Sequence, residues 1–229
     1  MAEQTYISPE LFQFFRELKD NNNRDWFQAN KQRYESQVRE PLLNFITDFG
    51  LRLAQISPHY VADARRSGGS LFRINRDIRF SKDKSPYKTA AGVQFRHESG
   101  KDVHAPGYYL HLEPDNVFAG AGIWQPDTKT LGKIRDAIVN KPDRWRAIVT
   151  ETAFTETYTL GGDSLKRAPK GYDPDHPLIE DLRRKDFIAS TSFRVEDACA
   201  SDFIDRYAAT CGRATPFMDF LTTAVGLPW

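Results

Sequence analysis

The sequence predicts an α+β fold, an antiparallel sheet of about four to six strands flanked by N- and C-terminal helices. Three observations carry this prediction. Apolar residues recur at helical spacing over 8–56, several runs between 92 and 194 alternate with period two, and helical spacing returns after 196. The 229 residues, 40% hydrophobic with 16 Phe and 9 Tyr, suffice for a sizeable core. We therefore expect one domain over 1–229, with a helical layer at about 8–56, a sheet-containing core at about 70–195 and C-terminal helices at about 196–226.

Ser8-Pro9 is a helix start, since Ser can cap and Pro suits the first helical position. Leu11, Phe12, Phe14, Phe15 and Leu18 follow at helical spacing, and Asn21-Asn22-Asn23 ends the run. A second helix begins near Asp25 and should bury Phe27, Tyr34 and Val38. Pro41 cannot donate a backbone bond, so a boundary or kink belongs just before it. Leu42, Phe45, Ile46, Phe49, Leu53 and Ile56 then continue the period, which completes a three-helix layer. Trp26, Asn30, Lys31 and Tyr34 form either the border of a site or a rim of ordinary helix packing.

Strand candidates occupy 92–97, 108–113, 117–124 and 187–194. Pro114, Asp115 and Asn116 are turn residues that should join the second and third into a hairpin. The small residues at 119–122 let another element approach the sheet closely. Asp127 can cap a helix carrying Leu131, Ile134 and Ile138, and another with Trp145, Ile148 and Val149 follows Pro142. Thr159–Gly171 reads as a loop with Lys166, Arg167 and Lys170. A helical pair with Phe203, Tyr207 and Cys211 before Pro216, and Phe217, Phe220, Leu221 and Ala224 after it, closes the chain.

The segment 71–88 sets itself apart. It holds Arg73, Arg76, Arg79, Lys82, Lys84 and Lys88 against Asp77 and Asp83, a net +4 in a chain whose total is +1. With Arg65 and Arg66 the stretch 65–88 reaches +6. Phe72, Ile74, Ile78, Phe80 and Tyr87 are interleaved with the charges, which a merely solvated basic loop does not require. Alternation from Phe72 to Phe80 predicts an extended strand. It places Arg76 between Ile74 and Ile78, with a buried stem and a head paired to an acid. Gly68-Gly69 permits a tight turn before the segment, and Ser85-Pro86 predicts a short helical turn within it.

Arg73-x-x-Arg76-Asp77-x-Arg79-Phe80-x-x-Asp83-Lys84-x-x-Tyr87 resembles the signature of a bacterial family of conserved hypothetical proteins, domain of unknown function 2461. Asn23-Arg24-x-Trp26-Phe27-x-x-Asn30, Gly107-Tyr108-Tyr109 and Leu165-Lys166-x-x-Pro169-Lys170-Gly171 are similar to further segments of that family, so the resemblance covers nearly the whole chain. It implies a family and no activity.

Guanidinium forks bind carboxylate or phosphate at two points. Arg73, Arg76, Arg79, Lys84, Tyr87 and Lys88 are therefore candidate ligand-binding residues, with Asp77 and Asp83 as positioning groups. A structural Arg–Asp network is the competing reading; the surplus of cations over acids favours a site. Lys166 and Lys170, in the Gly-rich loop, are expected to wall the same cleft. His111 is the candidate proton carrier, because Tyr109 and Glu113 flank it on one strand face. His97 falls on the apolar side of its strand and reads as a hydrogen-bonded core residue, and His176 reads as a turn residue.

The expected partner is thus a phosphorylated or otherwise anionic small molecule. Nucleic acid, stacked on Phe80, Tyr87, Tyr108 and Trp124, is the alternative. A ligand-free structural protein is the third reading, and whether the chain is an enzyme stays open. The near-neutral net charge argues against a dedicated duplex-wrapping protein. No dinucleotide fingerprint, phosphate-binding loop, zinc-protease motif or nucleophile elbow occurs, so no cofactor and no metal are expected. Cys199 and Cys211 form no disulfide framework and should fill small apolar sites. The first ten residues lack signal-peptide character and no apolar run has spanning length, which predicts a cytoplasmic protein without membrane contact. The oligomeric state is not encoded in any of these patterns.

Overall fold

The computed structural model describes residues 4–100 and 104–229. Helix α1 (Pro9–Asp20) buries Leu11, Phe12, Phe14, Phe15 and Leu18 along one face. The chain then runs through α2 (Arg24–Ala29), capped by the Asn23 side chain accepting from the Trp26 amide, and α3 (Lys31–Tyr34). A π-helical turn at Glu35–Arg39 leads into α4 (Glu40–Ile56). The turn sits immediately before Pro41, where the missing N–H breaks the regular ladder. Trp26 and Tyr34 pack against Phe14, so this rim is helix packing.

Six strands form one antiparallel sheet in the order β1-β2-β3-β4-β6-β5. They are β1 (Tyr60–Val61), β2 (Ala91–His97), β3 (Gly107–Glu113), β4 (Asn116–Ile123), β5 (Thr159–Gly161) and β6 (Phe187–Phe193). Helices α5 (Thr128–Asn140), α6 (Pro142–Thr150), α7 (Thr152–Thr155) and α8 (Ile179–Leu182) lie between β4 and β6 in sequence, and α9 (Val195–Ala198), α10 (Phe203–Arg213) and α11 (Thr215–Ala224) complete the chain. The hairpin β3–β4 turns at Pro114-Asp115, where Asp115 takes φ 66°. Asp127 caps α5 through the Thr130 amide at 2.8 Å.

Period-two geometry gives this sheet two unlike faces. Val93, Phe95, Tyr108, Leu110, Leu112, Ala119, Ile123 and Phe187 share one face and are buried. Phe49 of α4 and Tyr207 of α10 pack on it, 4.6 and 6.2 Å from the Phe95 ring, and Trp145 of α6 meets Phe187 at 5.9 Å. Each such aromatic or aliphatic side chain contributes roughly 1.5–3 kcal/mol by leaving water. The opposite face carries Gly92, Gln94, Tyr109, His111, Glu113, Phe118, Gly120 and Gly122. Four residues predicted as fixed points behave so. His97 is buried and its Nε2 bonds the Pro228 carbonyl; His176 Nδ1 accepts from the Leu178 amide inside a turn; Cys211 is buried and Cys199 half-buried.

The basic segment departs from expectation. It is no regular strand: isolated bridges Leu71↔Val93 and Asn75↔Tyr87 hold it against β2 and against itself. The alternation does not predict its faces either, since Ile74 is buried while Phe80 is 95% exposed. Ser85-Pro86 starts no helix, because the Asp83 carboxylate captures both the Ser85 amide (2.9 Å) and its hydroxyl (2.6 Å). Two short edge strands, β1 and β5, lie where no strand was predicted. Among the described residues no helix is long and apolar enough to cross a membrane.

Gly122 adopts φ 133°, and a Cβ there would stand 2.0 Å from the Phe187 carbonyl oxygen. Gly122→Ala should therefore destabilise the fold by about 2 kcal/mol or more in denaturant unfolding. A midpoint within error of wild type would contradict this close approach of β4 to β6.

Candidate functional site

The second face of the sheet floors a cavity of about 920 Å³. Its floor is largely glycine: Gly92 from β2, Gly107 from β3, and Gly120 and Gly122 from β4. Only at Gly120 would a Cβ meet ordinary contacts alone; at Gly92 it would meet the Tyr109 hydroxyl, and at Gly107 and Gly122 the carbonyls of Phe95 and Phe187. Phe72, Tyr87 and Lys88 from the basic segment, Phe118 near the start of β4 and Trp124 just after its end, and Ile188 and Ser190 of β6 complete the lining.

Three consecutive positions of one face of β3 carry the polar chemistry. The Tyr109 hydroxyl lies 3.0 Å from His111 Nδ1, and His111 Nε2 lies 3.2 Å from Glu113 Oε2. An ionised Glu113 can only accept, so Nε2 carries the proton in the neutral ring. Nδ1 is then the acceptor, and Tyr109 donates to it. The imidazole stacks on Phe118 at 4.7 Å with the planes 20° apart, which fixes the ring. Burial, and secondly the Glu113 charge, push the Tyr109 pKa up to about 12, so the phenol stays protonated at neutral pH. The chain depends on a neighbouring glycine: a Cβ at Gly92 would stand 2.6 Å from the Tyr109 hydroxyl oxygen.

The cations are largely claimed. Arg79 holds Asp77 through two nitrogens, at 2.9 and 2.6 Å, and this pairing lowers the Asp77 pKa to about 2. Arg76 Nη1 bonds Asp83, and that bond, followed by those from Ser85, holds the Asp83 carboxyl far below its usual range. The predicted acid partner of Arg76 is therefore present, but the pair lies near solvent, with Asp83 58% exposed. Lys84 Nζ donates to the Ile78 carbonyl at 2.9 Å, and Lys88 Nζ to the Arg73 carbonyl at 3.0 Å. Lys88 is half-buried, and burial, then the Arg73 charge, lowers its pKa.

Of the residues predicted for the site, Arg76, Asp83, Tyr87, Lys88 and His111 meet at the cavity. Tyr87 serves chiefly as an anchor there. Its backbone is bracketed by the Asn22 amide at 3.0 and 3.1 Å, and its buried ring stacks on Phe27 at 4.1 Å. Arg73, Asp77, Arg79 and Lys84 stand outside the wall. So do Lys166 and Lys170, against the expectation that their loop shares the cleft. That loop is captured elsewhere: the Asp163 amide bonds the buried Asp186 carboxylate at 2.9 Å, and the Leu165 amide the Arg183 carbonyl at 2.8 Å. Tyr108, offered as a stacking surface for bases, points into the core and is fully buried. Sequence reasoning had paired Tyr109 with His111 but assigned it no role, and missed Phe118. Their common sheet face, with His111 between them, was the available signal for both.

Fold and cavity together define an α+β protein with a hydrogen-bonded Tyr–His–Glu chain on the open face of an antiparallel sheet. The family described as conserved hypothetical protein (DUF2461) matches residues 10–220, and the chain belongs to it. No curated protein and no solved structure matches the chain.

Nitrogen-15 NMR of His111 should show the Nε2–H tautomer in the neutral ring. Glu113→Gln should weaken that preference, because an amide can donate as well as accept. A predominant Nδ1–H tautomer in the wild type would reverse the proposed direction of the chain.

Proposed function

We propose that the cavity binds a small anionic molecule and transfers protons to and from it. The observation that supports this reading most is the chain Glu113–His111–Tyr109, which runs through an otherwise glycine-floored space. The chain has two states. With neutral imidazole, Tyr109 donates to Nδ1. With protonated imidazole, Nδ1–H donates to the Tyr109 oxygen, and the hydroxyl hydrogen turns toward the cavity, where a ligand oxygen can take it. Glu113 compensates the imidazolium charge. Such a positioned acid or base contributes roughly 10²–10⁴-fold to a rate.

Lys88 and Arg76 supply the anion preference. Asp83 engages Nη1 of Arg76, and the remaining guanidinium N–H groups are donors for a carboxylate or phosphate. Phe72, Phe118, Trp124 and Ile188 offer apolar contact to the body of the ligand. Nucleic acid is the second reading, and one observation favours it: Phe80 is 95% exposed with Arg79 5.8 Å from its ring. The two readings differ in salt response, since several phosphate contacts to a strand weaken steeply with salt while an enclosed site is screened less.

The experiment is a thermal-shift screen of carboxylated and phosphorylated metabolites and short oligonucleotides at two salt concentrations. Small anions should raise the wild-type Tm with shallow salt dependence. Arg76→Gln combined with Lys88→Met should weaken their binding by about tenfold or more, the worth of a charge-assisted contact. His111→Gln should leave binding nearly intact. Equal stabilisation of the double variant, or a response to oligonucleotides alone, would defeat the proposal.

A further inference from the structure

Lys88 differs from the exposed lysines of the basic segment, Lys82 and Lys84. It lines the cavity, is half-buried, and meets no carboxylate among the described residues. Its Nζ is held by two contacts, the Arg73 carbonyl at 3.0 Å and the face of Phe72 at 5.3 Å. A neutral amine can still donate to this carbonyl, although the bond is stronger from an ammonium, so the contact weakens on deprotonation without being lost. The aromatic face favours the ammonium form, whereas burial and the Arg73 charge favour the neutral amine. Desolvation and a neighbouring cation are the two means by which lysines become nucleophiles. The Phe72 ring also lies 6.0 Å from the ring of Tyr109, and both reach over Gly92. Amine and phenol thus both lie close to one aromatic ring that lines the cavity.

We propose that Lys88 is a nucleophilic amine that forms an imine with a small carbonyl compound bearing an anionic group, a 2-oxo acid being the simplest class. The inference rests on the acid–base reading of the cavity and deepens it. The Nζ lone pair forms a bond to the carbonyl carbon, and the C=O π electrons move to oxygen, which takes the proton of Tyr109. The imidazolium form of His111 reprotonates the phenolate from Nδ1–H, and the surplus proton of the new C–N nitrogen passes back through Tyr109 to Nδ1, leaving a neutral carbinolamine beside imidazolium. The same His111 proton, delivered through Tyr109, lets the hydroxyl leave as water while the nitrogen lone pair forms the C=N bond, which gives a protonated imine and neutral His111. Amine and carbonyl are converted to imine and water with no change of oxidation state. Arg76 holds the carboxylate through the N–H groups that Asp83 leaves free.

Reductive trapping tests this. The full chain is incubated with phenylpyruvate and cyanoborohydride at neutral pH, and labelled lysines are mapped by mass spectrometry. Binding of the unreactive analogue phenyllactate is read in parallel by calorimetry. Lys88 should label about tenfold or more faster than Lys82 and Lys84, as a desolvated nucleophile does. Tyr109→Phe should slow that labelling by roughly a hundredfold, the scale of a positioned proton donor, while phenyllactate still binds. Lys88→Arg should abolish the fast phase. If Lys88 labels no faster than the exposed lysines while phenyllactate binds, the imine is refuted and the anion-binding cavity stands. If phenyllactate does not bind and Lys88 is not labelled, both are refuted.

Discussion

A β-sheet has two faces, and residues alternate between them without exception along each strand. In this protein that constraint separates structure from chemistry. One face is filled by Phe95, Tyr108, Leu110, Ile123 and Phe187, against which α4, α6 and α10 deposit Phe49, Trp145 and Tyr207. The other face repeats glycine at the corresponding positions, in β2, β3 and β4. Packing on the first face makes the sheet stiff, and the absent side chain at Gly120 on the second leaves room above it. The polar chain on β3 then stands on a rigid strand, where its three members keep one face in common by geometry.

The basic segment acquires a meaning different from its charge count. Arg79 and Arg76 are each tied to a carboxylate of the same segment, and Lys84 and Lys88 to its backbone carbonyls. These local contacts, near solvent, shape the loop more than they stabilise the protein, because exposed ion pairs contribute little. Docking comes from Tyr87, whose backbone pairs with the Asn22 side chain and whose ring stacks on Phe27. The helical layer thereby presses one end of the segment against the sheet and makes it a cavity wall. Phe72 and Lys88 face inward as a result, while Phe80 projects into solvent.

Much of this was legible in the sequence because it is local. The helical period of 9–20 and 40–56, the alternation of β2, β3, β4 and β6, and the Pro114-Asp115 turn depend on neighbours within a few residues. The common face of Tyr109, His111 and Glu113 followed from the same alternation. What was not legible is tertiary. Alternation over 72–80 imitates a strand, but the segment makes only isolated bridges, so Arg76 stays near solvent and Phe80 is exposed. Lys166 and Lys170 matched the basic segment in composition, yet the hydrogen-bond acceptors of 183–186 draw their loop away from the cavity. Period two places Gly92 and Gly120 on the face opposite the core. Tertiary packing decides that one admits the Tyr109 hydroxyl and the other leaves open volume.

The proposed ligand would lie above the glycine floor. Gly120 tests it most directly. A Cβ built there meets Tyr109 Cβ at 3.7 Å and the Ala189 carbonyl oxygen at 3.9 Å, both ordinary contacts, so the strand can accept a side chain. The measurement is calorimetric titration of an aromatic carboxylate such as phenyllactate into wild type and Gly120→Leu, with Tm recorded for each. A Tm at or above that of wild type and loss of binding are expected, because the leucine occupies the volume above the floor. Undiminished binding by a folded Gly120→Leu protein would contradict this placement.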